Sequence, residues 1–146
     1  MHHIFADSSV VIAGAVSRTG ASRAVLSMAE IGLFQLVVSR QVVDECERNL
    51  RNKFPGALSV FAQLLTNINL IIVDDPPLDE SVRWQLYTEA KDAPILAAAI
   101  EAKVDRLLSL NTKHFTPKDA EVSGVMIQTP SEFVRDIRSI ITEELS

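Results

Sequence analysis

Five short apolar runs punctuate this chain, and between them stand segments of helical character. The runs are Ile4-Phe5-Ala6, Leu33 to Val38, Leu70 to Val73, Arg106 to Leu110 and Val125 to Gln128. None alternates polar with apolar residues, so each strand is expected to be buried on both faces. Such strands belong to parallel sheets, whose crossover helices cover both sides. The expected architecture is a three-layer α/β/α sandwich around a mainly parallel sheet, as a single domain over residues 1–146.

The helices are read from caps and spacing. Asp7-Ser8-Ser9 precedes an apolar helix over 10–16, and 23–31 forms a second helix that Gly32 closes. Ser39 caps a third helix to about Lys53, with Val42, Val43, Cys46, Leu50 and Phe54 inward at helical spacing. Pro55-Gly56 breaks it, and 57–66 continues with Leu58, Phe61, Leu64 and Leu65 inward. Residues 78–90 are expected to be helical with Val82, Leu86 and Trp84 packed. Another helix follows Asp92 to about Lys103, then a polar loop over 111–123, and Thr129-Pro130-Ser131 opens the last helix.

The charge balance narrows the function. A formal charge of −5 argues against a wide basic surface for duplex DNA, although a bound cation would reverse the sign locally. The single cysteine, Cys46, excludes an internal disulfide and disfavours a cysteine zinc site. No run approaches the ~20 apolar residues of a membrane span, and no signal peptide is evident. A reducing cytoplasm is the expected compartment.

In an open parallel sheet, ligands sit beyond the carboxyl ends of the strands. Asp7 follows the first strand, Asp92 opens the small-residue helix that leads into the fourth, and Asn111 and Thr112 follow the fourth directly. Glu45, beside the apolar face of the third helix, joins them if that helix returns over the first strand. Three carboxylates and an amide form a hard, oxygen-rich set suited to Mg²⁺ or Mn²⁺. A divalent ion there would relieve repulsion among the acids, activate water and steady charge on a phosphate. Metal-assisted phosphodiester hydrolysis is the reaction class that follows.

Each residue also has a plainer reading. Asp7 or Asp92 could simply cap a helix, and Glu45 could be a solvated helix residue like Asp44 and Glu47. Ser9 could bond backbone or position Asp7, and Thr112 could cap its loop or touch the site. His114 could protonate a leaving oxygen or be a loop histidine without a catalytic part. Arg40, Arg48, Arg51 and Lys53 could meet RNA phosphates or form solvated surface charge. Cys46 reads as a buried small hydrophobe.

Taken in order, these segments resemble the PIN domain, the fold of the VapC-type ribonuclease toxins. Phe5-Ala6-Asp7-Ser8-Ser9-Val10-Val11 is similar to the family's opening, with Ser9 where asparagine is usual. Ser39 to Cys46 is similar to its acidic helix, with the acid placed on Glu45, and Lys91 to Ala99 carries the third acid, Asp92. Asp105 to Phe115 resembles the fourth segment, and Ile127 to Phe133 the closing strand and its Thr-Pro-x-Glu-Phe helix start. The resemblance implies catalytic Asp7, Glu45 and Asp92. It implies a metal held by these with Asn111, and supporting roles for Ser9, Thr112 and His114. It further implies Mg²⁺- or Mn²⁺-dependent RNA cleavage, a homodimer and a cognate antitoxin. The departure is in the fourth segment, where many members carry aspartate at or just after the position of Asn111 and this chain offers Asn111, Thr112 and His114. An amide ligates without adding charge, so one well-held metal and a weak or absent second site are expected. The competing reading is a catalytically silent PIN-like module that binds RNA or protein. A phosphatase of the haloacid type would want an aspartate where Ser9 stands, and no Walker-type phosphate loop is present.

Overall fold

The structure is a computed structural model that describes residues 2–86, 88–115, 121 and 123–145; for 114, 141, 144 and 145 it describes the backbone only. Much of the polar loop expected over 111–123 falls outside the described residues. The elements run β1 (His3–Ala6), α1 (Ser8–Val16), α2 (Ala21–Glu30), β2 (Gln35–Ser39), α3 (Arg40–Lys53), α4 (Leu58–Asn67), β3 (Ile71–Val73), α5 (Leu78–Trp84), α6 (Ala93–Glu101), β4 (Arg106–Leu108), β5 (Met126–Gln128) and α7 (Pro130–Leu145). Short 3₁₀ turns add Pro55–Ala57 and Thr112–His114.

The sheet has the order β3-β2-β1-β4-β5, and every pairing is parallel. Helices α1 to α4 pack against one another and α5 packs against α6, completing the three-layer α/β/α arrangement. Its centre is dry: Ile4, Phe5, Val37, Leu107 and Leu108 are essentially inaccessible, which matches their non-alternating sequence. No helix among the described residues is long and apolar enough to cross a membrane.

Two local devices tighten the α layer. Gly32, at φ +83°, ends α2 in a Schellman turn, with Gly32 N–H donating to Ala29 O (3.1 Å) and Leu33 N–H to Met28 O (3.0 Å). A Cβ at Gly14 of α1 would collide with the Leu26 side chain, so glycine there sets how closely α1 and α2 approach.

Some boundaries differ from the expectation. Helix α5 stops at Trp84 instead of reaching residue 90, and its buried face is Ser81 and Trp84, not Val82 and Leu86, which are 50% and 85% exposed. The Leu78-Val82-Leu86 repeat is not a continuous helical stripe: Leu86 lies beyond the end of α5, and all three side chains are exposed. Phe54, expected inward, is exposed because α3 ends at Lys53 and the chain turns at Pro55. Strand β4 ends at Leu108, two residues early, for a reason that lies in the site.

Candidate functional site

Chain direction reverses its course through the sheet at β1: β2 and β3 build outward on one side, β4 and β5 on the other. The crevice at such a switch point, beyond the strand ends, is the standard ligand position of an open α/β sheet. Here it lies between the ends of β1 and β4, where Asp7 N–H still donates to Leu108 O at 3.1 Å. Asp7, Ser9, Glu45, Asp92 and Asn111 line one cleft there, with Ser8, Lys91 and Ile95. Four segments distant in sequence thus converge, while Thr112 is half-buried in its 3₁₀ turn and does not line the cleft. The side chain of His114 lies outside the described residues.

Asp7 caps α1 and does more. Its Oδ1 accepts from Val10 N–H (3.3 Å) and from the Ser9 hydroxyl. Ser9 Oγ in turn accepts from Leu110 N–H at 3.1 Å. A second hydroxyl repeats the pattern: Ser109, fully buried, bonds Asp7 and accepts Asn111 N–H at 3.0 Å. The two serines therefore tie the segment after β4 to the Asp7 carboxylate. They also explain the early end of β4, since Leu110 and Asn111 give their N–H groups to hydroxyls rather than to a neighbouring strand. Burial pushes the Asp7 carboxyl above its ordinary range, and the nearby Asp92 charge pushes the same way. The Ser109, Ser9 and Val10 hydrogen bonds oppose this without cancelling it.

Asp92 stands at the N-cap position of α6 but does not cap it. The backbone turn before it has already satisfied the helix start: Ala93 N–H bonds Glu89 O (3.0 Å), Pro94 has no N–H, and Ile95 N–H bonds Asp92 O (3.1 Å). The capping reading of Asp92 therefore fails. Its Oδ2 is shut off from solvent inside the site.

Glu45 is not a solvated helix residue. Its Oε2 accepts from Ser8 Oγ and its Oε1 from Gln41 Nε2, each at 2.8 Å. Cys46, one residue on, donates Sγ–H to Ser8 O at 3.8 Å, and burial drives its thiol far up, so it is no nucleophile at neutral pH.

Sequence reasoning assigned no role to Ser109, Gln41 or Lys91. Ser109 has a signal, a lone hydroxyl in the apolar run Leu107-Leu108-Ser109-Leu110. Lys91 puts a cation directly before Asp92 at the cleft and pairs with Glu89 at 3.7 Å.

The donor set is all oxygen, which suits a hard divalent cation. Among the described residues, however, no three His, Cys, Asp or Glu side chains are gathered closely enough to grip one ion. The arrangement therefore fits a hydrated ion held by one or two carboxylates and not an all-protein cage, which is how Mg²⁺ is usually bound.

A parallel α/β/α sheet with acids at its switch point is the class that fold and cleft define. The sequence model of the PIN domain matches residues 3–113, and the chain belongs to the PIN domain family. No curated protein matches it in sequence. Among solved structures it is similar to PAE2754 from Pyrobaculum aerophilum, at 17% identity over 94% of this chain and 90% of that one, with a TM-score of 0.63. It is also similar to VapBC2 from Rickettsia felis, bound to a DNA fragment from its promoter, at 12% identity over 87% and 98%, TM-score 0.63. A third likeness is to VapC20 of Mycobacterium tuberculosis, a sarcin-ricin loop cleaving toxin, at 12% over 82% and 94%, TM-score 0.57. At these identities the likeness is one of fold.

Proposed function

We propose that the chain is a divalent-metal-dependent endoribonuclease and the toxin of a toxin–antitoxin pair. The observation that carries this is the meeting of Asp7, Glu45, Asp92 and Asn111 from four distant segments at the sheet's switch point. Membership of the PIN family supports it, as does the fold shared with a sarcin-ricin loop cleaving toxin and with a VapBC assembly. A cognate antitoxin and a homodimer belong to the same reading.

Asp7 and Asp92 would hold Mg²⁺ or Mn²⁺, with Asn111 as a neutral ligand and Glu45 reached through water. Bound there, the ion supplies Lewis acidity to the scissile phosphate and makes water a better nucleophile. The chain's own residues do the rest. Ser9 and Ser109 fix the Asp7 carboxylate, and Ser8 and Gln41 fix Glu45 as an acceptor that can take a proton from water. Lys91 offers positive charge to a phosphate oxygen at the cleft mouth.

Calorimetric titration of Mn²⁺ into the protein and into Asp92→Asn tests this without requiring the right RNA. Saturable binding that the substitution abolishes is the expected result. Absence of binding by the unsubstituted protein, or binding unchanged in Asp92→Asn, overturns the metal site. The amide at Asn111 and the spacing of the acids favour one alternative, a PIN module that binds RNA without cutting it. RNA binding indifferent to Mn²⁺, with no cleavage, would mark that case.

A further inference from the structure

Helix α3 carries Glu45 into the cleft and then continues away from it. Arg48, Asn49, Asn52 and Lys53 follow Glu45 at i+3, i+4, i+7 and i+8, so all five share one helical stripe. The structure places them along a groove with Ile12 of α1, and that groove shares Ser8 and Glu45 with the acid cleft. At 1.5 Å per residue the stripe is about 12 Å long. It is also electrostatically distinct. On the same helix Arg51 is paired with Glu47 at 2.8 Å and Arg40 with Asp74 at 3.4 Å. Among the described residues neither Arg48 nor Lys53 has an ion-pair partner, and both are exposed in a chain of net charge −5.

We propose that Arg48, Asn49, Asn52 and Lys53 form the track along which a single-stranded RNA backbone enters the acid cleft. This rests on the ribonuclease reading and assigns the substrate its path. Cations interleaved with amides are the side chains that meet phosphate and sugar oxygens. The groove's continuity with the cleft gives the bound strand a reason to follow it. Two cations on one narrow helical stripe suit a single strand; a duplex would need a broad basic face, which a net charge of −5 argues against. The contacts read no sequence: they fix the strand's register on the protein, and the cleft does the chemistry.

The test is fluorescence anisotropy of a labelled 12-nucleotide single-stranded RNA in EDTA, so that binding is read without cleavage, across a salt series. Arg48→Gln/Lys53→Gln should weaken binding about tenfold. It should also lower the slope of log affinity against log salt by about 1.4, since each phosphate contact on a single strand contributes about 0.7. Arg51→Gln/Arg83→Gln removes the same net charge off the stripe and should change both little. Equal losses in the two double variants would show a diffuse charge effect and overturn the proposal, as would unchanged binding in the first. Displacement of the RNA by polyglutamate at equal charge concentration would assign the stripe to an acidic protein segment and also overturn it. Mn²⁺ titration of Arg48→Gln/Lys53→Gln should match the unsubstituted protein, because neither substituted side chain lines the acid cleft. RNA binding lost on the stripe with no Mn²⁺ binding anywhere would sink the nuclease reading while sustaining the track.

Discussion

Two polar clusters, one at the β1–β4 switch point and one linking β4, β5 and α7, solve opposite problems. On the β4–β5 side, Arg106 donates to Gln128 Oε1 (2.8 Å) and Asp136 Oδ2 (3.0 Å), and Gln128 donates to the same Asp136 oxygen at 2.7 Å. The Gln128 hydrogen bond and the Arg106 guanidinium hold Asp136 below the ordinary carboxylate range, and the same guanidinium lies over the Phe133 ring. That cluster closes within the chain. At the switch point, Asp7 is surrounded by three hydrogen-bond donors and a second carboxylate, and burial pushes its pKa up. Donors orient a carboxylate; they do not neutralise it. The difference teaches that a carboxylate held down by its own arginine is architecture, whereas Asp7, held up by burial beside a second carboxylate, is suited to a cation from outside.

The sharpest way to break this contrast is to exchange one member in each cluster. Asp92→Asn should weaken Mn²⁺ binding by about 100-fold or more, beyond the ~10–100-fold usual for outer-shell partners. The metal-free melting temperature should hold or rise, since the substitution removes a like charge beside Asp7. A large drop in that temperature would mean Asp92 is structural after all. Arg106→Met is the opposite case. It should lower the melting temperature by a few degrees and leave Mn²⁺ affinity within about twofold. A loss of metal binding there would show that the two clusters are coupled.

How much of this the sequence displays depends on distance along the chain. Buried parallel strands are legible because both faces must be apolar, and Ile4 to Ala6 and Leu36 to Val38 read plainly. Asp7 is legible because it directly follows a strand. What is not legible is any role that a residue acquires from a partner far away. Ser109 looks like a stray hydroxyl until β4 docks beside β1 and brings it to Asp7. Gln41 looks like an ordinary first-turn residue until its amide meets Glu45. The end of β4 is hidden for the same cause. Leu110 extends the apolar run, yet its N–H belongs to Ser9 and its side chain is half exposed. The Leu78-Val82-Leu86 repeat misleads differently, because helical spacing says neither that the helix runs its full length nor that the domain covers the face it would make.

A finer perturbation asks whether the hydroxyls tune the carboxylate or only fill space. Ser109→Ala removes the bond to Asp7 and leaves Asn111 N–H without its acceptor, costing about 1 kcal/mol of stability. Mn²⁺ affinity should fall about tenfold, as for an outer-shell partner. Ser109→Thr keeps the hydroxyl and should restore most of the affinity. If alanine and threonine bind alike, the hydroxyl is not what positions Asp7.

The smallest effect, and the one most specific to the contrast, lies in pH. A carboxyl raised above its ordinary 3.8 holds its proton more tightly in the folded chain than in the unfolded one. Stability from Asp7 therefore falls as pH rises from 3.8 through the raised value. Asp136 and Glu132 are lowered, so their contribution has the opposite sign, present above the ordinary carboxylate range and lost as pH falls. Because these run together in any single melt, the informative quantity is the difference between the unsubstituted protein and Asp7→Asn, from about pH 3.5 to 7.5. Without metal that difference should decline with rising pH. With saturating Mn²⁺ it should climb instead, because the ion binds only the deprotonated acid and stabilises the folded chain by mass action. A metal-free difference that rises with pH would place Asp7 with Asp136, as an acid satisfied by its own protein, and the contrast between the two clusters would be lost.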